Sequence, residues 1–189
     1  MKNTKYKLTK ISIDVFGKKL FQIEALESFG DISKGEKGGY IEKEDNLSVS
    51  DNAWVYDNAW VYGEARVFGN ARVFGNARVY GNAWVYGNAR VSGNARVSGE
   101  AGVFGNARVF GEARVFGEAW VYGEIKILAG LFFGMRYNKE EIKYKENEGE
   151  ELIYKGDAKF EEEKDTVIIT CEGKEVEISK ESAKNLNLI

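Results

Sequence analysis

The sequence predicts an all-β protein built as a stack of short strands, and three observations carry that prediction. From Asp51 the chain falls into twelve hexads in unbroken register: DNAWVY, DNAWVY, GEARVF, GNARVF, GNARVY, GNAWVY, GNARVS, GNARVS, GEAGVF, GNARVF, GEARVF and GEAWVY. Within each hexad an Ala and a Val stand two residues apart, which places both on one face of a short extended segment. Gly and Asn precede them, and both tolerate the positive φ of a sharp corner. A helix cannot use this pattern: 3.6 does not divide six, and a Gly in every unit would cost about 1 kcal/mol each time.

The elements follow in chain order. Residues 1–44 read as an N-terminal β cap, with short strands in YKLTKISIDV (Tyr6–Val15) and KKLFQIEAL (Lys18–Leu26) and a Gly-rich turn. The segment GEKGGY (Gly35–Tyr40) shares only its glycines with phosphate-cradling loops. It lacks the Lys-Ser/Thr ending and the following helix that such a loop needs, and is expected to be the turn entering the repeat. Asp45–Ser50 (DNLSVS) supplies a degenerate hexad before the perfect ones and Gly123–Leu128 (GEIKIL) another after, so the repeat covers residues 45–128. Residues 129–189 read as an acidic β-rich module with strands in IKYKE, ELIYKG, TVIITCEG and KEVEIS and a short helix over Lys180–Leu188. That module holds 10 basic against 15 acidic residues, an acidic excess that the rest of the chain partly offsets.

The hexads resemble those of hexapeptide-repeat proteins. Val55, Val61, Val67 and onward to Val121 match the inward aliphatic position, with Ala53, Ala59, Ala65 and onward to Ala119 two residues before. The resemblance implies a left-handed parallel β-helix in which three hexads make one triangular coil. Fourteen hexads then give just under five coils, a prism roughly 22 Å tall at a strand spacing of about 4.8 Å. The general crossover rule favours the right hand, so left-handedness rests on the resemblance alone. One departure is that Gly sits two residues after the aliphatic position, where the acyltransferase pattern puts it one after. That spacing and the opening GEKGGYIEKEDNLS are more similar to hexapeptide proteins of phages and prophages that lack the acyltransferase histidine. Trimers are also what the resemblance implies.

Composition removes most chemistry. The 189 residues (21.2 kDa) contain no His, which excludes imidazole as general base and His-ligated zinc. The histidine base of hexapeptide acyltransferases and the zinc ligands of related carbonic anhydrases therefore have no counterpart here, and no enzyme, metal site or cofactor is expected. A lone Cys171 excludes an internal disulfide, and no cationic residue neighbours it in sequence, which makes it an inert thiol. A net charge of −3 gives no reason to expect duplex nucleic acid as partner. The amino terminus lacks a signal-peptide apolar stretch and the longest apolar run, Ile127–Met135, is far short of a membrane span. The expected location is the host bacterial cytoplasm.

Function is sought at the outward fourth and sixth positions, sorted by face because every third hexad stacks on the same side of the triangle. Face one carries Trp54, Arg72, Arg90, Arg108, Lys126 beside Tyr56, Phe74, Ser92, Phe110, Leu128. Face two carries Trp60, Arg78, Arg96, Arg114 beside Tyr62, Tyr80, Ser98, Phe116. Face three carries Ser48, Arg66, Trp84, Gly102, Trp120 beside Ser50, Phe68, Tyr86, Phe104, Tyr122. Fourteen aromatics are thus expected to face outward, more than a soluble monomer usually tolerates. Faces one and two are net cationic and face three, with Glu64, Glu100 and Glu118, is net acidic. A cationic face of one copy docking on the acidic face of the next would close a homotrimer, with Arg72, Arg78, Arg108, Arg114, Glu100, Glu118, Tyr86 and Tyr122 in the interface. The simpler alternative is that each Arg stacks on its own neighbouring ring.

Ser92, Ser98 and Gly102 are trimmed positions in one coil, residues 87–104, and define a waist. On face one the notch at Ser92 lies between Phe74 and Phe110 with Arg90 beside it, and on face three Gly102 lies between Trp84 and Trp120; with Arg96 these make candidate waist sites for a nucleotide-like ligand, aromatic rings gripping a base and Arg a phosphate. Drift in the repeat, or a slot filled by another protomer, would leave the same pattern. Paired Glu100 and Glu118 are expected to be solvated, and Asn52, Asn70, Asn88 and Asn106 to form amide ladders. Two functional expectations result: a non-catalytic interaction protein of phage type that binds and inhibits a host bacterial or phage protein, in the setting of anti-defence, or a sponge sequestering a nucleotide-like molecule at the waist.

Overall fold

The computed structural model describes residues 3–128, 130–133, 136–137, 142–147, 150–155, 159–162, 166–171 and 174–179. It is a parallel β-solenoid of about five turns. Each hexad contributes a short strand, and strands three hexads apart pair in register, as in Arg72–Arg90–Arg108 and Trp84–Gly102–Trp120. The corner glycine has φ near +70°, as at Gly87 (φ +69°). A Cβ there would stand 3.0 Å from the amide nitrogen of Gly105 in the next coil, so both backbone sign and space call for glycine.

Every coil is tied to the next by backbone N–H donors reaching carbonyls of the following coil, for example Trp84 N to Ala101 O and Tyr86 N to Val103 O, at 2.7–3.1 Å throughout the hexads. Ala and Val of the twelve perfect hexads are completely buried and form one continuous core. At the corner between faces one and three, Asn52, Asn70, Asn88 and Asn106 bond amide to amide up the column at 3.1–3.2 Å.

The N-terminal cap closes the first coil. Strand β1 (Tyr6–Val15) pairs antiparallel with β2 (Lys18–Ala25), β2 with β3 (Lys37–Ile41), and β3 runs parallel to Trp60–Val61. Face two therefore grows into an eight-stranded sheet, whereas faces one and three have five strands each. The segment Lys37–Ile41 is thus a strand, where the sequence suggested a turn. Its glycines serve close approach: a Cβ on Gly38 would meet Val55 O at 2.5 Å, and one on Gly39 would meet Ala59 O at 2.6 Å.

The first degenerate hexad is out of register with the rest. Leu47 bridges Val67, and Ser48 N donates to Val67 O at 2.9 Å, so Ser48 stands level with Phe68, not Arg66. A single turn of 3₁₀ helix, Glu44–Asn46, produces the offset. At the far end the ladder continues past Leu128, because Leu131–Phe133 pairs with Arg114–Phe116 and Arg136–Tyr137 with Trp120–Val121. Further along, Ile142–Asn147 pairs with Glu150–Lys155, and Lys159–Glu162, Thr166–Cys171 and Lys174–Ser179 form a three-stranded antiparallel sheet. The helix expected over Lys180–Leu188 lies outside the described residues.

First-coil carbonyls have no earlier coil to bond them, and the cap supplies donors to six of them, those of Ala53, Ala59, Val61, Gly63, Ala65 and Val67. Tyr40 N reaches Ala59 O, Glu42 N reaches Val61 O, and Ser48 N reaches Val67 O. The Asn46 amide donates to Gly63 O (3.0 Å) and Ala65 O (2.8 Å), and the Lys5 ammonium to Ala53 O (2.8 Å) and Ser48 O (2.9 Å). Carboxylates of Glu42, Asp51 and Asp57 accept from Gly63, Gly69 and Gly75 N–H, which explains the Asp that replaces Gly in the first two perfect hexads.

Asn46→Ala leaves two first-coil carbonyls without donors and should cost about 2–4 kcal/mol, read from urea unfolding. Burial lowers the Lys5 pKa to about 8 against the pull of Asp51 and Glu27, whereas burial raises that of the Tyr6 hydroxyl, which lies against the Glu44 and Leu47 carbonyls. Between pH 8 and 10 the unfolded chain binds the Lys5 proton more tightly, so stability should rise with pH. Above pH 10 the unfolded tyrosine ionises first and stability should fall. Thermal midpoints should pass through this maximum in the wild type, and Lys5→Met should abolish the rising limb.

Candidate functional site

The fourth and sixth positions of the hexads face outward, and packing decides which of their side chains stay available. Sixth-position rings mostly cover one another. On face three Phe68, Tyr86, Phe104 and Tyr122 stack in one uninterrupted ladder, centroids 4.7–5.1 Å apart and planes within 7°. On face two Tyr62 and Tyr80 stack at 5.1 Å, and on face one Tyr56 meets Phe74 edge to face. Self-stacking thus shields most of the rings that the sequence left exposed.

Fourth-position residues divide three ways. Trp54 is fully buried, against expectation, because Tyr6 and Phe29 of the cap close over it edge-on at 6.1 and 5.4 Å. Its indole N–H finds no acceptor, so it acts through packing. Trp60 lies under the Arg78 guanidinium, 4.4 Å from the ring centroid. Trp84 and Trp120, both on face three, stay 51% and 39% exposed, and of the fourteen outward aromatics they alone are so open.

Between these two indoles lies a groove of about 390 Å³. Gly102 forms its floor, the Tyr86 and Phe104 rings one side, and the corner residues Asn82, Glu100 and Glu118 the other. Gly102 has a chain on either side of it bearing tryptophan, since it pairs with Trp84 below and Trp120 above. Trp120 leans over it, with Cδ1 3.5 Å from where a Cβ would stand, and each exposed indole meets the preceding ladder ring edge-on, Trp84 on Phe68 and Trp120 on Phe104. A second groove of about 300 Å³ lies on the other side of Trp84, lined by Asp45, Ser48, Arg66, Val67 and Phe68.

The candidate waist residues are not gathered into one site. Register places Arg90 and Ser92, with Phe74 and Phe110, on face one; Arg96 and Ser98 on face two; and Trp84, Gly102 and Trp120 on face three. Three trimmed residues in one coil must fall on three faces of a triangle, one to each side. The groove therefore has indoles and carboxylates but no arginine among its described lining residues. A phosphate there would meet Glu100 and Glu118.

Residues expected in an oligomer interface also divide. Arg72 is held by the cap, its guanidinium forked onto Asp31 at 2.9–3.0 Å, and Arg78 is stacked on Trp60. Arg108 and Arg114 are exposed, Tyr86 and Tyr122 belong to the aromatic ladder, and Glu100 and Glu118 are exposed at the groove. The signal in the sequence for this groove is Gly102, which stands at the position that Arg or Trp fills in every other perfect hexad, with Trp as its neighbour both up and down the column.

Residues 65–105 match the YdcK β-solenoid repeat family in five overlapping windows, 65–81, 71–87, 77–92, 83–99 and 89–105. No curated protein matches the chain. The match agrees with the repeat architecture and assigns no activity.

Packing separates the two classes of tryptophan. Trp54→Ala should lose about 3–5 kcal/mol, whereas Trp84→Ala should change stability by less than about 1 kcal/mol, both measured by denaturant unfolding followed by circular dichroism.

Proposed function

We propose that this chain is a non-catalytic interaction scaffold whose recognition surface is face three. The observation that carries the reading is that self-stacking, the cap and Arg78 shield most of the other outward rings, while Trp84 and Trp120 are the most exposed of them and share the one net-acidic face. Exposed tryptophans beside a polar rim are the residues that dominate protein interfaces. The Ala/Val core and continuous ladder hold them at fixed spacing, so little ordering cost is added on binding. The partner is a protein with a basic surface, and the resemblance to phage hexapeptide proteins makes a bacterial or phage protein in the host cytoplasm the natural candidate, with inhibition as the consequence of occupying it.

Charge sorting favours a second reading, a homotrimer in which exposed Arg90 and Arg108 of one copy face the Glu100 and Glu118 edge of the next. A sponge for a nucleotide-like ligand is less well supported, because Arg90 and Arg96 lie on other faces than the groove.

A photoreactive residue in place of Trp84 should cross-link one defined protein in bacterial cells, and Trp120→Ala should suppress that product while the same probe at Arg114 gives none. Equal labelling from both positions would count against face three. Native mass spectrometry decides the second reading: a trimer that Arg90→Glu dissociates supports it, and a monomer at micromolar concentration rules it out.

A further inference from the structure

The repeat places Trp at the fourth position and Arg directly above it in the next coil, at Trp54 with Arg72 and at Trp60 with Arg78. In the second pair the guanidinium lies 4.4 Å over the indole. Trp84 is the third such tryptophan, and the residue above it is Gly102. The indole face that Arg78 covers at Trp60 is left open at Trp84. Two coil spacings, about 9.6 Å, separate the strands that carry Trp84 and Trp120, room for a flat or rounded head group between the rings. The volume of about 390 Å³ is that of a small-molecule site. Glu100 and Glu118 add negative charge along one side, with no Lys or Arg among the described lining residues. On the far side of Trp84 the chain's own Arg66 stands in the second groove.

We infer that the slot over Gly102 binds a small organic cation with a weakly hydrated head, a quaternary ammonium or guanidinium group, held between Trp84 and Trp120 beside Glu100 and Glu118. The bound head takes the place that a guanidinium occupies over Trp60. Indole faces attract such cations through the ring quadrupole, and the carboxylates supply the counter-charge. A phosphate-bearing ligand is disfavoured by the same two carboxylates. This inference is independent of whether a protein docks on face three.

The test is a calorimetric titration of the full chain with choline, with methylguanidinium, and with the neutral alcohol in which carbon replaces the choline nitrogen. Saturable binding of at least one cation, at least fivefold tighter than the alcohol, is expected. Gly102→Arg restores the common hexad, keeps the solenoid, and places the chain's own guanidinium in the slot; it should abolish binding while leaving circular dichroism unchanged. The Glu100→Gln, Glu118→Gln double variant keeps the shape and should weaken binding at least fivefold. Absence of cation binding, equal binding of the neutral alcohol, or full binding by either variant would overturn the proposal. In the case of no cation binding, retained cross-linking from the Trp84 position would leave the scaffold reading standing.

Discussion

Everything in this molecule depends on the backbone bond that joins each coil to the next. Each N–H on the three faces must find a carbonyl in the following coil, and that is possible only if every coil has the same length and turns its corners at the same place. A two-residue strand has no other means of holding itself, since it is too short to pair independently. The repeat follows from this: Gly where the corner requires positive φ and where a Cβ would come within about 3 Å of the next coil's backbone, Ala and Val where the bore is narrow, and freedom only at the fourth and sixth positions. Function can be written only in those two columns.

The two columns answer to different physics. Sixth-position rings lie one strand spacing apart, close to ideal for stacking, so they bury one another without a partner. Fourth-position residues are mostly long cations with four indoles among them, and the pairing of Trp60 with Arg78 shows that the column can also satisfy itself. Surface that would otherwise demand a partner is consumed internally. What remains is the place where the column fails to close, above Trp84.

The sequence was most legible where the repeat is strict. Grouping every third hexad put each perfect one on its correct face, because the ladder tolerates no other register. It failed at the ends, where tertiary contacts override the pattern: a 3₁₀ turn shifts Leu47 by two residues, Gly38 and Gly39 serve close approach in a strand, and Phe29 and Tyr6 bury a tryptophan that looks like its exposed siblings. At the waist it was legible one face at a time: the columns already put Gly102 between Trp84 and Trp120, whereas Arg90 and Arg96 stand on other faces, since a coil is a sequence neighbourhood but not a surface one. Trimmed residues in successive hexads, such as Ser92 and Ser98, point in different directions; residues in successive coils of one column, such as Trp84, Gly102 and Trp120, share a site.

The cap has a consequence for the chain as a material. A stack of identical parallel strands is an open-ended template, and its exposed edge would recruit another copy as readily as it recruits its own next coil. Lys5, Asn46 and the amides of Tyr40, Glu42 and Ser48 occupy the Ala53, Ala59, Val61, Gly63, Ala65 and Val67 carbonyls of that edge, and two of the donors are side chains that no second molecule could displace without burying an unpaired group. The N-terminal segment is thus a stop codon written in hydrogen bonds: it fixes the prism as a finite particle, and cutting it away should release a sequence ready to grow into filaments.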